Sequence, residues 1–96
     1  MPTKLYGGLH ERNFRAKAIA AVVEHWNSSL SLTAKYGAID ADDVFVVWQV
    51  KVIQNGKALL GVSREGDGMY YEYTWNGDAQ EGYLDVYTKT MKITTE

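Results

Sequence analysis

Cysteine is absent from this 96-residue chain. That excludes a disulfide framework, a thiolate metal site and a cysteine nucleophile. Small secreted domains often lean on disulfides, so the absence points to a reducing compartment. A surplus of positive charge is also missing: 10 Lys and Arg stand against 12 Asp and Glu, for a formal net charge of -2. Binding to nucleic acid generally draws on basic residues that displace counterions from phosphates, and this balance argues against it. No apolar run approaches the roughly 20 residues of a membrane span. Met1-Pro2-Thr3-Lys4-Leu5-Tyr6-Gly7-Gly8 contains no signal-peptide core. The expected location is the cytoplasm, away from the membrane. There is no internal repeat and no low-complexity segment.

What is present suffices for one domain. Such a small domain buries only about 60–65% of the surface its unfolded chain exposes, so its stability is modest or shared with a second copy. Apolar residues make up 46% of the chain and are spread evenly, which argues against disorder. Residues 1–10 read as a flexible tail, since Gly7-Gly8 breaks any regular pattern. Residues 11–96 form the single domain. From Glu11 to about Leu30 the spacing predicts an amphipathic helix. Phe14, Ala18, Val22 and Trp26 recur every four residues, Ile19, Val23 and Leu30 widen the stripe, and Asn13, Lys17, Glu24 and Asn27 lie opposite. Ser28, Ser29 and Ser31 weaken the helix, and Gly37 ends any continuation.

Three strand-like runs follow between Asp42 and Asn76, parted by Gln54-Asn55-Gly56 and Gly66-Asp67-Gly68. In the first run Val44, Val46, Trp48, Val50 and Val52 share one face, which reads as a central strand with that face in the core. A type I′ turn on Asn55-Gly56 would pair Val52 with Leu59. A three-residue loop with a bulged Gly56 instead pairs Val52 with Ala58, Val50 with Leu60 and Trp48 with Val62. The second register keeps apolar beside apolar and is the one expected. A four-residue loop, Glu65 to Gly68, would then set Val62 opposite Tyr71, Leu60 opposite Tyr73 and Ala58 opposite Trp75. Asn76-Gly77-Asp78 marks a further turn. Residues 83–93 admit a helix through Tyr83, Tyr87 and Met91, but their Thr, Tyr and Val content favours a fourth strand. The expected fold is α+β: one N-terminal helix packed on a four-stranded antiparallel meander.

The combination of Asp42-Asp43-Val44, Val47-Trp48, Gln54-Asn55-Gly56-Lys57-Ala58-Leu59-Leu60, Asp67-Gly68-Met69-Tyr70-Tyr71-Glu72, Asn76-Gly77-Asp78 and Tyr83-Leu84-Asp85-Val86-Tyr87 resembles a small uncharacterised family. Its members look like accessory proteins of bacteriophages and prophages of Gram-positive hosts. The likeness spans roughly residues 14–93. It implies a phage-encoded, intracellular setting and transfers no site residues. Met1 to His10 has no counterpart in it.

The residue types that carry chemistry have structural explanations here. Asp40, Asp42 and Asp43 lack calcium-loop spacing and suit a cap before the first strand. His10 and His25 lie fifteen positions apart, without partners in the sequence for a metal or proton-transfer site. Ser28, Ser29 and Ser31 sit in no nucleophile elbow. Gly66-x-Gly68 lies between strands, whereas a phosphate cradle leads into a helix. No cofactor, metal or catalysis is expected.

The aromatic residues are more informative. Trp48, Tyr71, Tyr73 and Trp75 are expected to pack against Phe14, Ile19, Val22 and Trp26 of the helix. The opposite face would show Phe45, Val47, Ile53, Leu59, Tyr70, Tyr83 and Tyr87, with Lys51, Glu72 and Asp85 as a polar rim. One helix cannot cover both faces of such a sheet, and a large bare apolar face marks an interface. The expected interface residues are Phe45, Val47, Lys51, Leu59, Tyr70, Glu72, Tyr83 and Tyr87. Their partner would be a second copy in a two-fold dimer, a host protein, or both. The alternative is a module stacking single-stranded bases on its aromatic face, with Lys51, Lys57, Arg64 and Lys89 at the backbone. The acidic balance weighs against it.

Overall fold

A computed structural model describes residues 11–64, 69–89 and 93–95. The expected tail 1–10 and the expected loop Glu65–Gly68 lie outside the described residues, as do 90–92. The elements run α1 (Glu11–Ser28), α2 (Leu30–Tyr36), a 3-10 turn (Ala41–Asp43), β1 (Val44–Val52), β2 (Asn55–Val62), β3 (Met69–Asn76) and β4 (Glu81–Thr88). The four strands form one antiparallel sheet in the order β1-β2-β3-β4. The fold is the expected α+β meander, with residues 81–88 as strand and a short second helix in addition.

The four-residue spacing places α1 on the sheet. Phe14, Ala18, Val22 and Trp26 are all buried, and Ile19 and Val23 flank them. They meet Val44, Ala58, Leu60, Tyr71, Tyr73 and Trp75. Burying each large apolar side chain contributes about 1.5–3 kcal/mol, which makes this layer the main source of stability. The serines end α1 as their backbone-competing hydroxyls suggest. Ser29 turns extended, at φ -94° and ψ 115°, and its hydroxyl accepts from Leu32 N as the N-cap of α2. Gly37 closes α2 at φ 83°, a conformation that favours glycine.

The connection from α2 to β1 is pinned by side chains. Trp26 Nε1 donates to Gly37 O at 2.9 Å. Asn27 holds Ile39 at both ends, donating to its O and accepting from its N, each at 2.9 Å. Arg64 donates to Tyr36 O (2.6 Å), Ala38 O (2.9 Å) and Asp43 Oδ2 (3.4 Å). Asp40 caps the 3-10 turn and forms a capping box with Asp43. These carboxylates are the cap that the sequence suggested.

The sheet corrects several expectations. β1 is an edge strand, since it pairs with β2 alone. The β1–β2 hairpin turns on Ile53-Gln54, pairing Val52 with Asn55, and the bulge lies at Val47 rather than at Gly56. Ile53 takes φ 56° in that turn, an unusual conformation for a branched side chain. Asn55 is used elsewhere: its Oδ1 accepts from Gly77 N at 3.1 Å, tying this hairpin to the β3–β4 turn. Between β2 and β3, Leu60 faces Tyr71 and Ala58 faces Tyr73. That register is two residues from the expected one. Because side chains alternate with a period of two, the same residues still reach the core.

The bulge has the larger consequence. Up to Val46, the even positions of β1 face α1, with Val44 buried and Val46 half-buried. One extra residue at Val47 reverses the parity. From there Gln49 and Lys51 pair with Ala58 and Gly56 on the helix side, while Trp48, Val50 and Val52 turn outward. Trp48 is therefore not part of the core, and Lys51 lies on the inner face.

Candidate functional site

The outer face is built in cross-strand rows. One row is Trp48–Leu59–Glu72–Asp85 and the next is Val50–Lys57–Thr74–Tyr83. Phe45 pairs with Gly61 and Tyr70 with Tyr87 beyond the first row, and Asn76 pairs with Glu81 beyond the second. No described element lies over these rows. Trp48 is 44% exposed, Val50 48%, Phe45 50% and Val52 61%. Tyr70, Tyr83 and Tyr87 are exposed as well.

Of the eight expected interface residues, six come together on this face: Phe45, Leu59, Tyr70, Glu72, Tyr83 and Tyr87. Val47 occupies the bulge and is exposed. Lys51 is on the other face, its Nζ donating to Ile53 O at 2.6 Å. Trp48, Val50 and Val52 were missed, because a regular alternation through β1 assigns them to the core. The polar Gln49 and Lys51 reinforced that assignment, because under regular alternation polar side chains at odd positions point outward; they instead sit in rows with the buried Ala58 and Gly56.

The face is divided by chemistry. Its β1–β2 half is apolar apart from Lys57 and, at the hairpin end, Asn55. Its β3–β4 half carries tyrosines and carboxylates. The rings of Tyr70 and Tyr87 stack at 4.9 Å and 12°. Glu72 and Asp85 are direct cross-strand neighbours, a like-charge placement that is unfavourable on its own. Lys57 reaches Glu72 at only 3.9 Å, and Tyr87 Oη donates to it at 3.4 Å. The nearby charges act on the phenols. Glu72 pushes the Tyr87 hydroxyl above its ordinary range, with smaller contributions from desolvation and Asp85. Tyr83 is raised chiefly by its hydrogen bond to Glu81. A shallow hollow of about 430 Å³ lies at the Val50–Lys57–Thr74 end, also lined by Val52, Asn55 and Asn76.

The other candidates resolve into structural parts. His25 sits edge-on to Tyr71 with ring centres 5.9 Å apart, and His10 lies outside the described residues. Ser29 is a helix cap. Among the described residues no three His, Cys, Asp or Glu side chains gather as metal ligands. No described helix is long and apolar enough to cross a membrane.

Searches of curated proteins and of solved structures return no match. A family model does match, that of DUF6275, a family of unknown function, over residues 15–96, so the chain belongs to the DUF6275 family.

Proposed function

We propose that this is a phage-encoded accessory protein of the host cytoplasm that acts by protein contact through the outer face of its sheet, without catalysis. One observation carries the reading. Phe45, Trp48, Val50, Val52, Tyr70 and Tyr87 lie exposed on a single continuous face while α1 occupies the other. Exposed aromatic and branched side chains on one surface, edged by charge, have the composition of an interface core with its rim. The phage setting rests on the sequence resemblance alone.

Single-stranded nucleic acid would also use exposed aromatic rings. The carboxylates of Glu72, Asp85 and Glu81 beside those rings repel phosphates, and Lys57 is the one cation among the described strand residues of this face. Protein contact is therefore the stronger reading.

A photo-crosslinking amino acid tests it in host cells. Placed at Tyr70 or Val50, it is expected to give protein adducts. Placed at Glu24, exposed on α1, it is expected to give none. Absence of adducts from the sheet positions would defeat the reading. So would a low-salt shift of single-stranded oligonucleotides that depends on Tyr70 and Tyr87.

A further inference from the structure

We infer that the outer face receives a basic amphipathic helix from a different protein, with a Lys or Arg over the Glu72–Asp85 pair and a large apolar side chain in the adjoining hollow. This deepens the reading above and rests on it. Charge selects the partner. Glu72 and Asp85 stand side by side next to the apolar half of the face, and the Asp85 carboxylate makes no hydrogen bond or ion pair among the described residues. Covering that pair without a cation would desolvate two like charges.

Among the described strand residues of this face, a second copy offers Lys57 as its one cation. With a two-fold axis across the strands, the carboxylate half of one copy lies on the carboxylate half of the other. With the axis along the strands, Glu72 and Asp85 lie over Leu59 and Trp48. Either way two acidic pairs are buried against two Lys57 side chains that already lean on Glu72.

Spacing and shape select a helix. The carboxylate row and the row lining the hollow are two residues apart along each strand, roughly 7 Å. Side chains one helical turn apart are separated by about 5–6 Å, so one helix face reaches both rows. A helix also satisfies its own backbone, whereas a strand laid on a sheet face leaves its backbone groups unpaired. Strands of eight residues give a face of roughly 500 Å² in projection, enough for one helix and at the small end of stable interfaces. The inner face already takes such a helix: α1 sets Lys17 Nζ 4.7 Å from the Trp75 ring centre, beside its apolar stripe.

Trp48 makes the test direct. It is the exposed member of the three tryptophans, for Trp26 and Trp75 are buried. The probes are a short amphipathic helical peptide of Leu and Lys and its Leu and Glu counterpart. The Leu-Lys peptide is expected to shift Trp48 emission to the blue and the Leu-Glu peptide to leave it unchanged. Glu72→Lys with Asp85→Lys should weaken the Leu-Lys peptide by at least about tenfold. Glu72→Gln with Asp85→Asn keeps the test valid if reversal disturbs folding. Glu24→Lys with Asp42→Lys makes the same change in net charge away from the face and should bind as wild type. Light scattering at high micromolar concentration should show a monomer.

A dimer that protects Trp48 would overturn the inference. So would equal binding of the two peptides, or equal loss in the charge-matched control. Each of these leaves crosslinking from Tyr70 intact, whereas failure of the protein-contact reading abolishes it.

Discussion

The inner and outer faces of the sheet carry similar side chains on the same four strands, yet they have different fates. Leu60 and Tyr71 are fully buried, while their chain neighbours Leu59 and Tyr70 are half-buried and exposed. Aromatic and branched residues occur on both sides, so composition does not separate core from surface. Placement of α1 does. Its apolar stripe lies over Ala58, Leu60, Tyr71, Tyr73 and Trp75. Its reach is limited even there, for Val86 shares the inner row of Leu60 and Tyr71 and is still 41% exposed. A small α+β domain with one long helix thus has more apolar sheet than cover. The surplus is confined to the outer face and the β4 edge.

The sharpest way to break this comparison is to truncate chain neighbours. Leu60→Ala leaves a cavity beneath α1 and is expected to cost about 3 kcal/mol, within the range for buried leucines. Leu59→Ala removes a half-buried side chain from the outer face and should cost about 1 kcal/mol or less. Urea unfolding of both variants measures the difference. Equal losses would mean that the outer face is as much a part of the folded core as the inner one.

Two glycines give a finer contrast of the same kind. A Cβ at Gly56 would lie 2.8 Å from Phe14 Cε1, and one at Gly61 would lie 2.6 Å from Phe45 Cζ. The clashes are similar, but the rings differ in freedom. Phe14 is wedged under α1 with no exposure, whereas Phe45 is 50% exposed and can swing into solvent. Gly56→Ala is expected to cost about 1–3 kcal/mol through overpacking. Gly61→Ala should cost less than about 1 kcal/mol, because the yielding ring loses little packing. Thermal or urea unfolding ranks them, and the reverse order would show that Phe45 is held as firmly as Phe14.

The inner face was largely legible in the sequence and half of the outer face was not. The four-residue spacing from Phe14 to Trp26 identified α1. The alternation in β2 and β3 put Ala58, Leu60, Tyr71, Tyr73 and Trp75 inside even though the pairing was two residues off, since an even slip preserves parity. An odd slip does not. The single extra residue at Val47 turned Trp48, Val50 and Val52 out and Lys51 in. The Val-rich pattern of β1 concealed it, because apolar residues stand on both sides of the bulge. The hairpin turn was obscured for a related reason. Asn55-Gly56 is a strong turn signal by conformational preference. Here Gly56 is a strand residue beneath the Phe14 ring, and Asn55 bonds to Gly77, a long-range contact that no local pattern encodes.

The smallest effect separates the faces by the origin of one property they share. Tyr73 on the inner face and Tyr87 on the outer face both hold their phenolic protons more tightly than an ordinary tyrosine. Burial raises Tyr73. The charge of Glu72 is the main cause for Tyr87. A phenol raised in the folded state binds its proton more tightly there than in the unfolded chain. Its contribution to stability is thus fully present below the ordinary value of about 10 and is lost as pH rises through the raised value. Glu72→Gln removes the charge and should move Tyr87 back towards the ordinary range, leaving Tyr73 in place. High salt should act in the same direction on Tyr87, because screening weakens an exposed charge interaction and leaves desolvation untouched. NMR of ring-labelled tyrosines, assigned by Tyr→Phe variants, follows each phenol separately through alkaline titration. If Glu72→Gln moved both phenols, or neither, the carboxylates and the aromatic rings of the outer face would not form the coupled surface that a basic partner requires.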